Sequence, residues 1–216
     1  VECKLYNVAA VLNHGRVIGL VPKTNLPNYA EYYEARQFTA ADDKSRVVVL
    51  AGEEVPFGTR LLFSCLQIPW MEVAAEICED LWVPCPPSIS HALAGANVIV
   101  NLSAGDEITG KDVYRKELVN GQSARLVCAY LYATAGEGES STDLVFGGHN
   151  LICENGSVLA EARRFRNETI YADVDVKRLA AERRKMTTFP AADREGYRVV
   201  SFNLKVEETH LKRVFP

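Results

Sequence analysis

The sequence predicts an α/β fold in which helices cover a sheet, and three observations carry that prediction. The chain has 216 residues, 48% hydrophobic and 24% charged, ordinary for a globular protein and enough for one sizeable core or two small domains. A strand, a helix and a strand follow one another across residues 71–102. That is a βαβ unit, which demands parallel pairing with a helix on one face. Elsewhere short turns join apolar runs as antiparallel hairpins, the first at Asn13-His14-Gly15.

Taken in order, residues 5–12 and 16–21 are the strands of that first hairpin. Pro22 and Pro27 break the second strand and leave Lys23 at its end, a place where a lone lysine is ordinarily solvated. Residues 28–40 are aromatic and acidic, either a short helix capped by Asn28 or a packed loop. Residues 41–44 are polar and exposed. Three more strands span 46–50, 61–64 and 71–78, with Gly52 and the stretch 56–59 as turns between the first two. Ser88 caps a helix that runs to about Ala94 and stops at Gly95. A strand follows at 97–102. The longest helical pattern covers 112–127, weakened by Gly121, and leads to a strand at 128–134. The loop 135–142 is rich in small residues, which suits close approach to a ligand but more often means flexibility. Strands are expected at 144–146, 149–153, 158–161 and 169–174, the first three linked by Gly147-Gly148 and Asn155-Gly156 turns. A charged helix at 176–186 and a last strand at 197–204 complete the pattern, and 205–216 reads as a connector.

Bulk properties exclude several classes. A net charge of −4 and a pI of about 5.7 give no electrostatic attraction to nucleic acid or an anionic membrane. The basic clusters Arg163, Arg164, Arg166 and Arg183, Arg184, Lys185 are interrupted by acids and read as solvated faces. No apolar run approaches membrane-spanning length, and no signal peptide is visible. Six scattered cysteines with no C-x-x-C pair indicate reduced thiols of a cytoplasmic protein, not a disulfide framework or a zinc site. No cluster of metal ligands is apparent, and the four separated histidines read as structural. The chain begins at Val1, almost directly in a strand, so a longer parent polypeptide is expected.

Cys78 ends the mostly apolar strand 71–78 and is followed by Glu79, Asp80 and a Pro-rich segment. Reactive side chains cluster at such carboxyl ends in α/β sheets. A free cysteine is also commonly just a small core residue. Position alone leaves both readings open.

A series of motifs adds to this. Pro22-Lys23-x-x-Leu26-Pro27-Asn28-Tyr29 is followed by Glu34-Ala35-Arg36-Gln37-Phe38, Ile77-Cys78-Glu79-Asp80 and Asn101-Leu102-Ser103. Trp82-Val83-Pro84, Pro86-Pro87-Ser88, Tyr114-Arg115, residues 133–140 and Gly147-Gly148-His149-Asn150 extend it. Together they resemble the nitrilase superfamily and, within it, the glutaminase domains of glutamine-dependent NAD synthetases, from about residue 5 to about residue 184.

The resemblance implies a nitrilase-like α-β-β-α sandwich, incomplete at the N-terminus, over residues 1–204, with 205–216 leading to an absent synthetase domain. It implies hydrolysis of glutamine by a cysteine thiolate, Cys78. Lys23 would favour that thiolate and stabilise the oxyanion, helped by a backbone N–H just after Cys78. Glu34 would hold Lys23 by a charge-assisted hydrogen bond. Tyr29 and Glu79 would recognise the substrate, an acid suiting its α-ammonium, and Trp82 and Ser103 would line the pocket. Arg115 is as well explained by a structural ion pair. The released ammonia would serve amidation of nicotinic acid adenine dinucleotide. The implied partners are glutamine, the synthetase domain and further copies of the chain. This domain would need no cofactor; ATP and magnesium would belong to the synthetase domain.

Two departures qualify the match. The family's general-base glutamate lies upstream of the first hairpin and has no counterpart here, Glu2 being misplaced, so poor activity of the isolated piece is expected. Gly105 stands where many relatives carry serine. A free-standing amidase acting on another amide, or a non-catalytic docking or oligomerisation module, are the alternative readings.

Overall fold

Eleven strands make two sheets among residues 1–139 and 143–206, which the computed structural model describes. The smaller sheet contains β1 (Val8–Asn13), β2 (Arg16–Pro22), β3 (Arg46–Leu50) and β4 (Glu53–Phe57) in the order β1-β2-β4-β3. The larger contains β5 (Leu61–Cys65), β6 (Glu72–Ile77), β7 (Val98–Ser103), β8 (Ala129–Thr134), β9 (Leu151–Glu154), β10 (Ser157–Glu161) and β11 (Arg198–Phe202). Its order is β10-β9-β8-β7-β6-β5-β11.

The expected first hairpin forms: Asn13 opposes Arg16, and His14 and Gly15 both have positive φ, 48° and 75°. Two such residues make the turn that matches strand twist. The second hairpin repeats the device with Ala51 and Gly52 at 51° and 84° and joins β3 to β4. Here the structure corrects the sequence reading, which placed a turn at 56–59. Pro56 lies within β4, where it opposes Val47. β4 meets β2 through the single pair Leu20–Phe57, so the N–H that proline lacks is not needed for a long ladder.

The predicted βαβ unit is β6, α1 (Pro87–Leu93) and β7, with β6 and β7 parallel from Val73–Val98 to Ile77–Leu102. α2 (Lys111–Leu126) returns the chain to β8, parallel to β7. Ser88 does not cap α1; Pro86 precedes the helix and Pro87 opens it, since its fixed φ suits that position and its missing N–H is not missed. The N–H of Ser88, left without a partner in the first turn, is taken by the Glu76 carboxylate at 2.8 Å. Gly95 follows the helix with φ 117° as expected.

Other expectations shrink. Residues 28–40 yield one 3-10 turn, Glu34–Arg36, preceded by Tyr33, so Asn28 caps nothing. Residues 144–146 make a single bridge, Phe146 to Asp106, and 169–174 form no strand. The connector from residue 207 onward and residues 140–142, including Ser140 of the motif series, lie outside the described residues.

Layers follow from the apolar residues. Leu62, Ala74, Ile99, Tyr130 and Leu151 pack one face of the large sheet against Ala92 of α1 and Val119 and Leu126 of α2. Ala9 and Val21 of the small sheet meet Leu61, Phe63, Ala75 and Ile77 on the other face. Gly19 makes this approach possible: a Cβ there would lie 2.7 Å from the Phe63 ring. Leu20, Val55 and Phe57 form a further core with Tyr6, whose ring edge meets Phe57 at 5.2 Å between centroids. The result is the α/β sandwich class that the sequence predicts.

α3 (Val176–Lys185) is capped by the Asp175 side chain and buries Leu179 against Val98, Val127 and Ala129. Its Arg183 corrects the reading of that basic cluster as solvated. The guanidinium donates to the carbonyls of Val127, Ala96 and Leu126 at 3.0, 2.7 and 2.8 Å, and burial lowers its pKa to about 10. No helix among the described residues is long and apolar enough to cross a membrane.

Candidate active site

Lys23 sits where β2 runs out, and it is buried, 3% exposed. A buried ammonium needs a partner. Its Nζ is ion-paired to Glu34 Oε2, and the second oxygen of Glu34 accepts from Asn7 Nδ2 at 2.7 Å. The 3-10 turn that begins at Glu34 thus aims a carboxylate at the strand end. The ordinary fate of a lysine after a strand, solvation, does not apply here.

Cys78 follows β6 and opens a 3-10 helix, Cys78–Leu81. Its φ is +48°, a conformation that costs a non-glycine residue about 1–3 kcal/mol and persists only when its surroundings impose it. Two hydrogen bonds do so. The Ile77 N–H donates to Asp80 Oδ2 at 3.0 Å, and the Cys78 N–H to Asn101 Oδ1 at 3.2 Å. Asp80 also accepts from the backbone and side chain of Asn25 at 2.8 and 2.9 Å. Burial raises the Asp80 pKa, and these N–H donors oppose the rise. One carboxylate therefore ties the end of β6 to the loop after β2.

Cys78, Lys23, Glu34 and Ser103 line one cavity of about 390 Å³, with Asn7 and Tyr32 as further polar walls and Leu144 and Phe146 as apolar ones. Ser103 shares a 2.6 Å hydrogen bond with Tyr132. Tyr29 and Glu79 are brought together, 2.6 Å apart, but on the exposed side. The hydrogen bond to Glu79 leads the causes that push Tyr29 up to about 12. The Tyr29 ring meets that of Tyr32 at 6.2 Å. Trp82 does not line the cavity: it packs edge-on to Tyr114, with Lys111 Nζ 5.4 Å from its ring centroid. Lys111 pairs with Asp106, which accepts the Tyr32 hydroxyl at 2.6 Å.

Arg115 is fully buried between Glu107 at 2.5 Å and His149 at 3.1 Å, a structural ion pair. Glu2 contacts Arg46 at 3.7 Å, away from the cavity. Gly105 has room for a side chain, since a Cβ there would meet Tyr132 Oη at 3.5 Å, an ordinary contact. Among the described residues lining the cavity, Glu34 is the sole carboxylate.

Reading residue by residue missed Asn7, Tyr32, Asp80 and Asn101. Asp80 and Asn101 lie inside the quoted motifs, yet their value is to hold backbone N–H groups. No spacing rule signals that. Chemically, a thiol, an ammonium and a carboxylate that orients the ammonium share one partly apolar cavity. That arrangement suits nucleophilic attack on a carbonyl carbon with a cation near the developing oxyanion.

Comparison with known proteins agrees in family and fold. Residues 1–184 match the carbon-nitrogen hydrolase family. The chain is 44% identical to the glutamine-dependent NAD(+) synthetase of Mycobacterium bovis over 209 residues, 93% of this chain and 31% of that protein. It therefore spans about a third of the length of the curated relatives it matches. A crystal structure of a glutamine-dependent NAD(+) synthetase from Cytophaga hutchinsonii superposes with a TM-score of 0.67 at 29% identity, over 78% of this chain and 27% of that one. Nit3 of Saccharomyces cerevisiae, of the nitrilase superfamily, shares the fold at a TM-score of 0.63 and 19% identity, over 88% of this chain and 60% of that one.

Proposed function

We infer the chemistry from one premise: this chain belongs to the carbon-nitrogen hydrolase family, an enzyme family. We propose that it hydrolyses the side-chain amide of glutamine. The Cys78 sulfur bonds to the amide carbon, the carbonyl oxygen takes the negative charge beside Lys23, and the carbon–nitrogen bond breaks. The thiol proton leaves with the nitrogen as ammonia. Water then cleaves the thioester to glutamate and restores the thiol. Glu34, held by Lys23 and Asn7, orients the ammonium and is not free to shuttle the proton.

The observation that carries this reading is the shared cavity of Cys78 and the buried Lys23–Glu34 pair. The substrate choice rests on the relatives' glutamine dependence and on Glu79, an acid suited to an α-ammonium. Within a longer parent, the ammonia would pass to a synthetase domain that uses ATP and magnesium to amidate nicotinic acid adenine dinucleotide, in the cytoplasm and as a homo-oligomer.

The test is covalent labelling with a diazoketone analogue of glutamine, with the adduct mapped by mass spectrometry. An adduct on Cys78 that glutamine suppresses supports the reading. Cys78 labelling that another amide suppresses and glutamine does not would assign a different amidase. No Cys78 adduct in either this chain or a longer parent would assign a non-catalytic module, and an adduct in the parent alone would show that upstream residues complete the site.

A further inference from the structure

A directed chain of hydrogen bonds ends on the peptide N–H of Cys78. It starts at Glu76, 1% exposed, whose oxygens accept the Ser88 N–H at 2.8 Å and the Tyr130 hydroxyl. The Tyr130 oxygen accepts from Asn101 Nδ2 at 3.2 Å. Asn101 in turn offers Oδ1 to the Cys78 N–H at 3.2 Å. None of these three side chains lines the cavity, so none touches a substrate there.

The direction is set at the Glu76 end. A carboxylate only accepts, and a tyrosine hydroxyl has one hydrogen. With that hydrogen spent on Glu76, the Tyr130 oxygen can only receive. Asn101 must then face Tyr130 with its NH2 and Cys78 with its carbonyl. Inverted, the amide would set oxygen against an oxygen with no hydrogen left, and NH2 against N–H. Side-chain amide orientation is fixed by such networks.

We propose that Glu76, Tyr130 and Asn101 are positioning residues that hold Cys78 in its left-handed conformation and so aim its thiol into the cavity it shares with Lys23. This rests on the reading of Cys78 as the nucleophile. It does not depend on glutamine being the substrate.

The test uses the chain's other thiols as internal references. Cys85 is exposed, and Cys128 and Cys153 are 0% exposed. Alkylation by iodoacetamide is followed site by site by mass spectrometry in the unaltered chain, in Tyr130→Phe and in Glu76→Gln. The first variant deletes the central hydroxyl at nearly constant volume. The second puts an NH2 where only acceptors fit. Work at about pH 8 keeps Glu76 ionised, since burial raises it to about 7.

In both variants Cys78 is expected to react about tenfold more slowly relative to Cys85, as for a small misplacement of a reacting atom, with Cys128 and Cys153 still unlabelled. A Cys78-to-Cys85 ratio within about twofold of the unaltered chain overturns the proposal. If one variant exposes Cys128, the other decides. If both expose it, the chain is a folding element and the proposal is also overturned. Cys78 labelling by the diazoketone that glutamine fails to suppress would sink the substrate reading while leaving this ratio to judge the relay.

Discussion

Asp80 accepts two hydrogen bonds from Asn25, 2.8 Å from its backbone nitrogen and 2.9 Å from its side-chain amide, while its other oxygen takes the Ile77 N–H at 3.0 Å. Asn25 lies in the loop after β2 and Ile77 at the end of β6, so this one carboxylate ties the strand end carrying Lys23 to the one carrying Cys78. Asp80→Ala orphans the buried Ile77 N–H, at a cost of about 1–3 kcal/mol, and two part-buried donors of Asn25 with it. A lowered urea midpoint is expected, together with loss of the glutamine-suppressible Cys78 adduct even where the protein remains folded. A folded Asp80→Ala protein that labels at the normal rate would show that the two strand ends hold their places without it.

Lys23 and Glu34 are both largely buried, with side chains 4% and 15% exposed. Removing one partner of such a pair leaves an uncompensated charge and costs about 3–5 kcal/mol. Lys23→Met is therefore expected to destabilise more than Lys23→Met combined with Glu34→Gln, although the double variant has lost more. Chemical denaturation of the two proteins decides it. If Lys23 serves the oxyanion as proposed, both should be inactive toward the amide.

The pair Tyr29–Glu79 stands outside the cavity proper, and its role follows from that place. Glu79→Gln keeps the hydrogen bond to Tyr29 and removes the charge. If the acid meets an α-ammonium, the concentration dependence of Cys78 labelling by the diazoketone should shift upward about tenfold, the value of about 1.4 kcal/mol of lost ion pairing. The maximal labelling rate should change little. Equal potency against both proteins would remove Glu79 from substrate recognition.

The strand-end placement of Lys23 and Cys78 was legible in the sequence because their motifs fix residue type and position together, whereas Glu34, in a 3-10 turn, was flagged by its motif alone. The hairpin at Asn13 and the βαβ unit were legible because turn chemistry and apolar runs are local signals. Pro56 misled because a proline usually interrupts a strand, and only the sparse β2–β4 pairing shows why this one does not. Trp82 was misplaced for a related reason. An aromatic ring just after the Cys78 motif reads as a pocket wall, yet here it packs edge-on with Tyr114 and carries Lys111 over its ring. Asn101 and Glu76 illustrate the larger gap. Their roles lie in the direction of hydrogen bonds between residues distant in the chain, which no periodicity encodes.

Two buried groups of opposite type make the stability of this fold respond to pH in opposing ways. Burial raises Glu76 from 4.5 to about 7, so between those values the folded chain holds a proton that the unfolded chain has lost. Stability then falls as pH rises through this window. Burial lowers His91 from 6.5 to about 4, so between those values the unfolded chain holds the extra proton. Stability then rises with pH, and His91's contribution is lost as pH falls. The windows overlap, each group contributing a slope of about 1.4 kcal/mol per pH unit, so in the unaltered chain they largely offset each other. Separating them reveals both. Relative to the unaltered chain, Glu76→Gln should become more stable as pH rises from about 5 to about 6, and His91→Gln less stable over the same range, by roughly 1 kcal/mol each. Urea unfolding of the three proteins across that range measures the difference. Parallel curves would mean that neither side chain is buried in the protonation state that its surroundings favour. The Glu76 result bears on the Cys78 relay as well, since an ionised Glu76 takes the Tyr130 hydrogen and leaves the Tyr130 oxygen to receive from Asn101.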